Sequence, residues 1–173
     1  MEAKKYLEQH WVKNKVWTHL AWPKHQDRLK ICTLYLKGKE FLDVGCGLGH
    51  STNWMKKFLP GNWSGLEFFS NTVEQAQKLF KNITFYYAAD FDLLSACGKK
   101  FDSVVCSEVI EHVENDRALV EGLVEITKNI LVVTTPNCYV DDPGLLRVYT
   151  KEMLEKLFEG YDFLIVKKNI FFY

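Results

Sequence analysis

Cysteine pairs and cysteine motifs are missing from this chain. The five residues Cys32, Cys46, Cys97, Cys106 and Cys138 are odd in number and form no C-x-x-C pair. Neither a disulfide framework nor a zinc knuckle is indicated, and a reducing compartment fits. No apolar run approaches the ~18 residues of a membrane-spanning helix, and residues 1–6 carry no apolar signal core. The expectation is a soluble, cytoplasmic protein with no membrane partner. Net charge is missing too: 22 acidic and 22 basic residues balance to a formal +0. Nothing in that balance demands nucleic acid or anionic lipid, although a local patch for RNA stays open. Repeats, low-complexity segments and Pro/Gly-rich linkers are also absent, so residues 1–173 are expected to form a single domain.

What is present is a core-forming composition, 47% apolar and 14% aromatic, and two alternating periods. Short β-rich runs fall at 41–44, 63–66, 83–88, 101–106, 130–134 and 163–166. Helical patterns lie at 51–59, 71–80, 116–127 and 150–159. The first turns Trp54, Met55, Phe58 and Leu59 to one face. The second opens on Asn71 and Glu74, close to a capping box, and turns Val73, Ala76 and Phe80 inward. The third offers Leu119, Val120, Leu123 and Ile126, and the fourth runs from a Thr150 cap to Gly160. Strand alternating with helix predicts an α/β fold: a three-layer α/β/α sandwich with a doubly wound, mostly parallel, Rossmann-like sheet. Residues 1–37 look helical and carry Trp11, Trp17 and Trp22 with His10, His19 and His25; they read as a cap over the sheet or a lid, and 38–173 as the core.

The most telling stretch is Phe41-Leu42-Asp43-Val44-Gly45-Cys46-Gly47-Leu48-Gly49-His50. A strand that ends in a glycine-rich turn and opens a helix is a nucleotide-cofactor site in doubly wound folds. The glycines permit backbone angles and close approaches that a Cβ would block, and the N–H groups of the next helix face the ligand. The pattern departs from the dinucleotide fingerprint G-x-G-x-x-G. Asp43, two residues before Gly45, would repel a pyrophosphate and suits a cationic group such as an α-ammonium. No Gly-Lys-Ser/Thr follows, which excludes a P-loop. Glu67 ends the second predicted strand, 18 residues after Gly49, near the spacing at which an acid meets a ribose. One carboxylate can accept from both ribose hydroxyls. Asp90 ends the third strand and could accept from the exocyclic amine of adenine, with Phe91 against the ring.

The Asp-x-Gly-x-Gly-x-Gly run resembles motif I of the class I S-adenosylmethionine-dependent methyltransferases. The run Phe101-Asp102-Ser103-Val104-Val105-Cys106-Ser107-Glu108-Val109-Ile110-Glu111-His112 resembles the FD-x-V-x-x-x-E-V-x-E-H segment of the small-molecule methyltransferase group, including the quinone-biosynthesis O-methyltransferases. Together the likeness covers residues 38–166. It implies S-adenosyl-L-methionine as cofactor and S-adenosyl-L-homocysteine (SAH) as product. The cofactor contacts it implies are Asp43, Gly45, Cys46, Gly47, Gly49, Glu67, Phe68, Asp90, Phe91 and Ser107. Glu108 and His112 are the implied catalytic pair, His112 as a general base because imidazole titrates near neutrality. The alternative for His112 is a ring packed on the sheet and bonded to backbone.

Glu108-x-x-Glu111-His112 also has metal-ligand chemistry. The same spacing occurs in small-RNA 3′-terminal 2′-O-methyltransferases, which add a histidine after the fifth strand. Residues 135–150 here contain no histidine, so the reading takes no metal. The implied reaction is in-line methyl transfer to an oxygen or nitrogen, governed mainly by alignment and desolvation. No Asn/Asp-Pro-Pro-Tyr/Phe motif of amino-methyltransferases is present; Thr135-Pro136-Asn137 is not one. The acceptor is expected to be a small molecule. The alternatives are an RNA or protein methyltransferase, or a methyltransferase-like domain that binds a partner without turnover. After the last helical pattern only 162–173 remain, with 170–173 as a stub of a seventh strand. A truncated β6–β7 hairpin would leave an apolar edge through which the chain could form an oligomer.

Overall fold

A computed structural model describes residues 20–138 and 144–166. Strands β1 (Glu40–Val44), β2 (Asn62–Glu67), β3 (Thr84–Tyr87), β4 (Phe101–Ser107) and β5 (Thr127–Thr134) form one sheet in the order β3-β2-β1-β4-β5. Every adjacent pair is parallel. Helices α1 (Pro23–Tyr35), α2 (His50–Phe58), α3 (Ser70–Leu79), α4 (Leu93–Cys97), α5 (Asp116–Ile126) and α6 (Lys151–Leu157) supply the covering layers. A parallel sheet buried on both faces needs near-continuous apolar strands. Phe41, Leu42 and Val44 in β1, and Val104, Val105 and Cys106 in β4, have no exposed surface. On one face Leu42, Val44, Val104 and Cys106 meet Leu119, Val120, Leu123 and Ile126 of α5. On the other, Phe41, Trp63 and Val105 meet Leu29, Cys32 and Leu36 of α1 and Met55 of α2. The Phe41 and Trp63 rings stack at 4.9 Å, a pairing worth about 0.5–1.5 kcal/mol beyond its buried area.

The strand order reverses between β2-β1 and β4-β5, so the chain leaves the carboxyl ends of β1 and β4 in opposite directions. The crevice that opens there is the usual ligand position in doubly wound sheets. Asp102 ties the far end together, accepting from Lys39 N at 2.9 Å and Glu40 N at 3.1 Å. Among the described residues no helix is long and apolar enough to cross a membrane.

Several sequence expectations change in the structure. The run 163–166 is not a strand: among the described residues it pairs with no strand, and Leu164 is 81% exposed. Beta propensity is a weak prior that does not by itself make a strand. The stub at 170–173 lies outside the described residues, as do Trp11, Trp17, His10 and His19. The capping box at Asn71 does not form. Only Phe68 and Phe69 separate β2 from α3, so the helix opens one residue earlier, with Phe69 as N-cap and no side-chain cap. Phe58 stays exposed and packs its ring on Trp54, 4.1 Å away, rather than on the sheet. Strand β5 begins three residues before the expected 130, because an extra residue in β5 between Thr127 and Ile130, opposite Phe101–Ser103 of β4, lets Thr127 join the ladder. Helix α4, too short for a periodic signal, escapes the sequence reading; Asp92 caps it by accepting from Ser95 N at 3.0 Å.

Candidate active site

The glycine-rich turn leaves β1 in the left-handed region. Gly45, Gly47 and Gly49 have φ of 73°, 53° and 82°, a region that L side chains enter only at a cost. Space is short as well. A Cβ on Gly45 would come within 2.4 Å of Val109 Cγ2, across the crevice after β4, and one on Gly49 within 2.5 Å of Phe85 Cζ. Cys46 is buried with its Sγ over Gly65, where a Cβ would lie 2.7 Å away.

Glu67 holds this turn. It is buried at the end of β2 and accepts from Gly47 N at 2.8 Å and Phe68 N at 2.7 Å. Burial raises its carboxyl above the usual range, opposed by the N–H groups of Phe68, Gly47 and Phe69. Asp43 lies deeper, 3% exposed, and accepts from Thr52 Oγ1 of α2 at 2.6 Å. Burial pushes its carboxyl up to about 7, against the Thr52 hydroxyl and with help from the charge of Glu67. Both acids thus brace the turn from beneath: Asp43 through α2, Glu67 through the loop backbone.

Asp90 does not end the third strand as expected: β3 stops at Tyr87, and Asp90 is exposed in the bend three residues on, where its Oδ1 accepts from Asp92 N at 3.0 Å. Phe68 and Phe91, after β2 and β3, meet edge to face at 5.7 Å. Gly122 of α5 sets the position of Phe91, a role no sequence signal marked. A Cβ there would lie 2.2 Å from the Phe91 carbonyl oxygen. Glycine to alanine inside a helix normally stabilises by about 0.8–1 kcal/mol. Here the backbone clash outweighs that, and Gly122→Ala is expected to lower stability by about 1–3 kcal/mol. Thermal unfolding checks it; a higher midpoint would mean that Phe91 moves without cost.

The second half of the site lies after β4 and β5. Ser107 Oγ and Thr134 Oγ1 are 2.8 Å apart, and Thr134 Oγ1 donates to Glu108 Oε1 at 3.0 Å. Glu108 has φ +58°, and it alone of the described non-glycine residues has a positive φ. Such outliers persist where surrounding structure over-determines them. Arg28 reaches from α1 to Glu108 Oε2 at 3.4 Å, so α1 does touch the site; sequence periodicity could not show this. Glu111 is 1% exposed, and burial together with the Glu108 charge pushes its carboxyl up to about 8. Thr135 lies close enough to oppose that shift, yet neither Thr135 Oγ1 nor Glu111 Oε2 completes a hydrogen bond, and Arg28 Nε is also buried and unpaired. His112 Nδ1 lies 2.8 Å from the Gly144 carbonyl oxygen, and its Nε2 is 3.9 Å from Glu111 Oε1. The ring is therefore bonded to backbone through one nitrogen while the other faces the acidic corner. Among the described residues no group of three or more His, Cys, Asp and Glu side chains is arranged to hold a metal ion.

A methyltransferase-domain family model matches residues 42–129. Among curated proteins, the ubiquinone biosynthesis O-methyltransferase of Coxiella burnetii (strain RSA 493 / Nine Mile phase I) is 30% identical over 99 residues, 54% of this chain and 41% of that one. The protein of the same name from Actinobacillus pleuropneumoniae serotype 7 is 30% identical over 152 residues, 82% of this chain and 64% of that one. This chain thus spans less than two thirds of the length of either. Among solved structures, magnesium protoporphyrin IX methyltransferase from Synechocystis PCC 6803, with bound SAH, superposes with a TM-score of 0.62 at 19% identity, covering 78% of this chain and 71% of that one. At that identity the likeness speaks for the fold.

Proposed function

Because this chain belongs to the methyltransferase-domain family, we propose that it binds S-adenosylmethionine at the carboxyl ends of β1–β3 and transfers its methyl group to an oxygen or nitrogen of a small molecule. The observation that carries this reading is Glu67, buried at the end of β2 and bonded to the turn through Gly47 N. The donor set fits the cofactor. A buried carboxylate suits the two ribose hydroxyls, Phe68 and Phe91 suit an adenine face, and Asp90 suits its amine. A second buried acid, Asp43, supports the ammonium end from beneath the turn. The relatives named for ubiquinone biosynthesis support a small-molecule acceptor and an oxygen nucleophile.

Bound cofactor supplies a methyl group on a sulfonium, with a neutral thioether as leaving group. What the chain must add is alignment, exclusion of water and a place for the acceptor's proton. His112 offers Nε2 as that place: Nδ1 donates to Gly144, and a carbonyl oxygen can only accept. Glu108, held by Thr134 and Arg28, lines the same corner and orients the acceptor. His112 Nε2 would take up the proton that the acceptor's nucleophile gives up.

Calorimetric titration with S-adenosylmethionine and SAH tests the cofactor half. The expected result is micromolar binding, unchanged in His112→Gln, with turnover lost in that variant. Absence of binding by folded wild type would sink the proposal. Salt-sensitive capture of RNA with turnover on it would replace the small-molecule acceptor.

A further inference from the structure

We infer that Arg147 is a positioning residue for His112, anchoring the segment 144–149 so that the Gly144 carbonyl holds the imidazole as its Nδ1–H tautomer. The assignment of a proton-accepting role to the bare Nε2 rests on the function proposed above; the anchoring does not.

The segment has no regular secondary structure of its own, so its path must be set by contacts with something else. Leu146 N donates to the Glu111 carbonyl at 3.0 Å. Arg147 then spreads over the turn that carries His112. Its Nη1 donates to the Val113 carbonyl at 2.7 Å and to Asp116 Oδ2 at 2.8 Å, and its Nη2 to the Glu114 carbonyl at 3.1 Å. Tyr149, buried, brings its hydroxyl to the same Asp116 oxygen at 2.6 Å and lies 3.2 Å from Arg147 Nη1. The short 3-10 turn Ile110–His112 is therefore bracketed: Glu111 holds Leu146 within it, and Val113, Glu114 and Asp116 hold Arg147 just beyond it. Gly144 stands three residues before Arg147, at the near end of that bracket.

A planar guanidinium with five donors can serve these separated acceptors at once. A lysine ammonium is a single point and cannot. Without Arg147, 144–149 keeps Leu146 N on the Glu111 carbonyl and the Tyr149 hydroxyl on the Ile110 carbonyl and Asp116 Oδ2, but it loses the contacts to Val113 and Glu114 that fix its path past His112, and the Gly144 carbonyl shifts away from Nδ1. The ring could then carry its proton on Nε2, next to Glu111, where it would no longer accept one. The charged groups around the ring and its anchor are Glu111, Arg147 and Asp116.

The tautomer can be read directly. Long-range proton–nitrogen correlation spectra of histidine-labelled protein, with thermal unfolding run alongside, should show His112 as Nδ1–H in wild type. In folded Arg147→Met and Arg147→Lys the Nδ1–H signature is expected to be lost, with Nε2–H resonances in its place. Wild type carrying Nε2–H, or either folded variant keeping Nδ1–H alone, overturns the inference. So does failure of both variants to fold, since Arg147 would then serve the fold at large rather than His112. The readout does not depend on turnover. A chain that binds no S-adenosylmethionine but loses Nδ1–H in Arg147→Lys would refute the proposed function and leave the positioning role standing.

Discussion

Glu67→Ala is expected to weaken S-adenosylmethionine binding by at least about a hundredfold, since hydrogen bonds to a charged group are each worth about 1.5–3 kcal/mol. Two losses combine. The ribose hydroxyls lose their acceptor, and the turn loses the carboxylate that receives Gly47 N and Phe68 N. Each orphaned donor costs about 1–3 kcal/mol where water cannot replace the partner, so the variant should also melt earlier than wild type. Glu67→Gln separates the two effects. One amide oxygen can still accept from the turn, but the amide nitrogen presents hydrogens where the ribose also presents them. Its melting point should stay closer to wild type than that of Glu67→Ala, while its affinity falls nearly as far. Calorimetry and thermal unfolding on the same samples decide this. Wild-type affinity in folded Glu67→Ala would remove the basis for placing the ribose at the end of β2.

Asp43→Asn should gain stability at neutral and higher pH while losing cofactor affinity. The carboxyl of Asp43 rises from 3.8 to about 7 on folding, chiefly because it is buried. Between those values the unfolded chain has released the proton and the folded chain retains it. Stability therefore falls as pH rises through that window, and above it the full cost of a buried charge is present. Asparagine is neutral throughout, and its amide oxygen can still accept from Thr52 Oγ1. Wild type and Asp43→Asn should unfold alike near pH 4 and diverge toward pH 8, the variant being the more stable. Glu67 and Glu111 are also raised by burial, so a shallower slope persists in the variant. Identical slopes would show that Asp43 ionises freely in the folded state. The accompanying loss of affinity, about tenfold for one charge-assisted contact, would mark Asp43 as a group kept for binding at the expense of stability.

Much of the architecture was legible because its signals are local. Apolar runs of four to six residues, split by helical periods, specify strands and helices of a parallel sheet. Three alternate glycines after β1 mark a turn that must pass through left-handed backbone, and all three do. The acids at 43, 67 and 90 fall close to strand ends, Asp43 one residue before the end of β1, Glu67 at the end of β2 and Asp90 three residues after β3. Where prediction failed, the missing quantity was a partner. Among the described residues the run 163–166 has strand composition but pairs with no strand, although β5 stands at the edge of the sheet, and Asn71 has a capping side chain in a helix that begins one residue earlier.

The sequence by itself thus determined the fold class, the position of the glycine turn and the order of acids along the strand ends, since all three depend on spacing within a few residues. Only the tertiary structure decided what those acids touch. Glu67 meets Gly47, 20 residues away; Arg28 meets Glu108 across 80 positions; and Arg147 reaches back 31 to Asp116. Such contacts are set by how β1 and β4 diverge at the crevice and by which loops the helices bring over it. That is a property of packing in three dimensions, and periodicity along one dimension does not encode it.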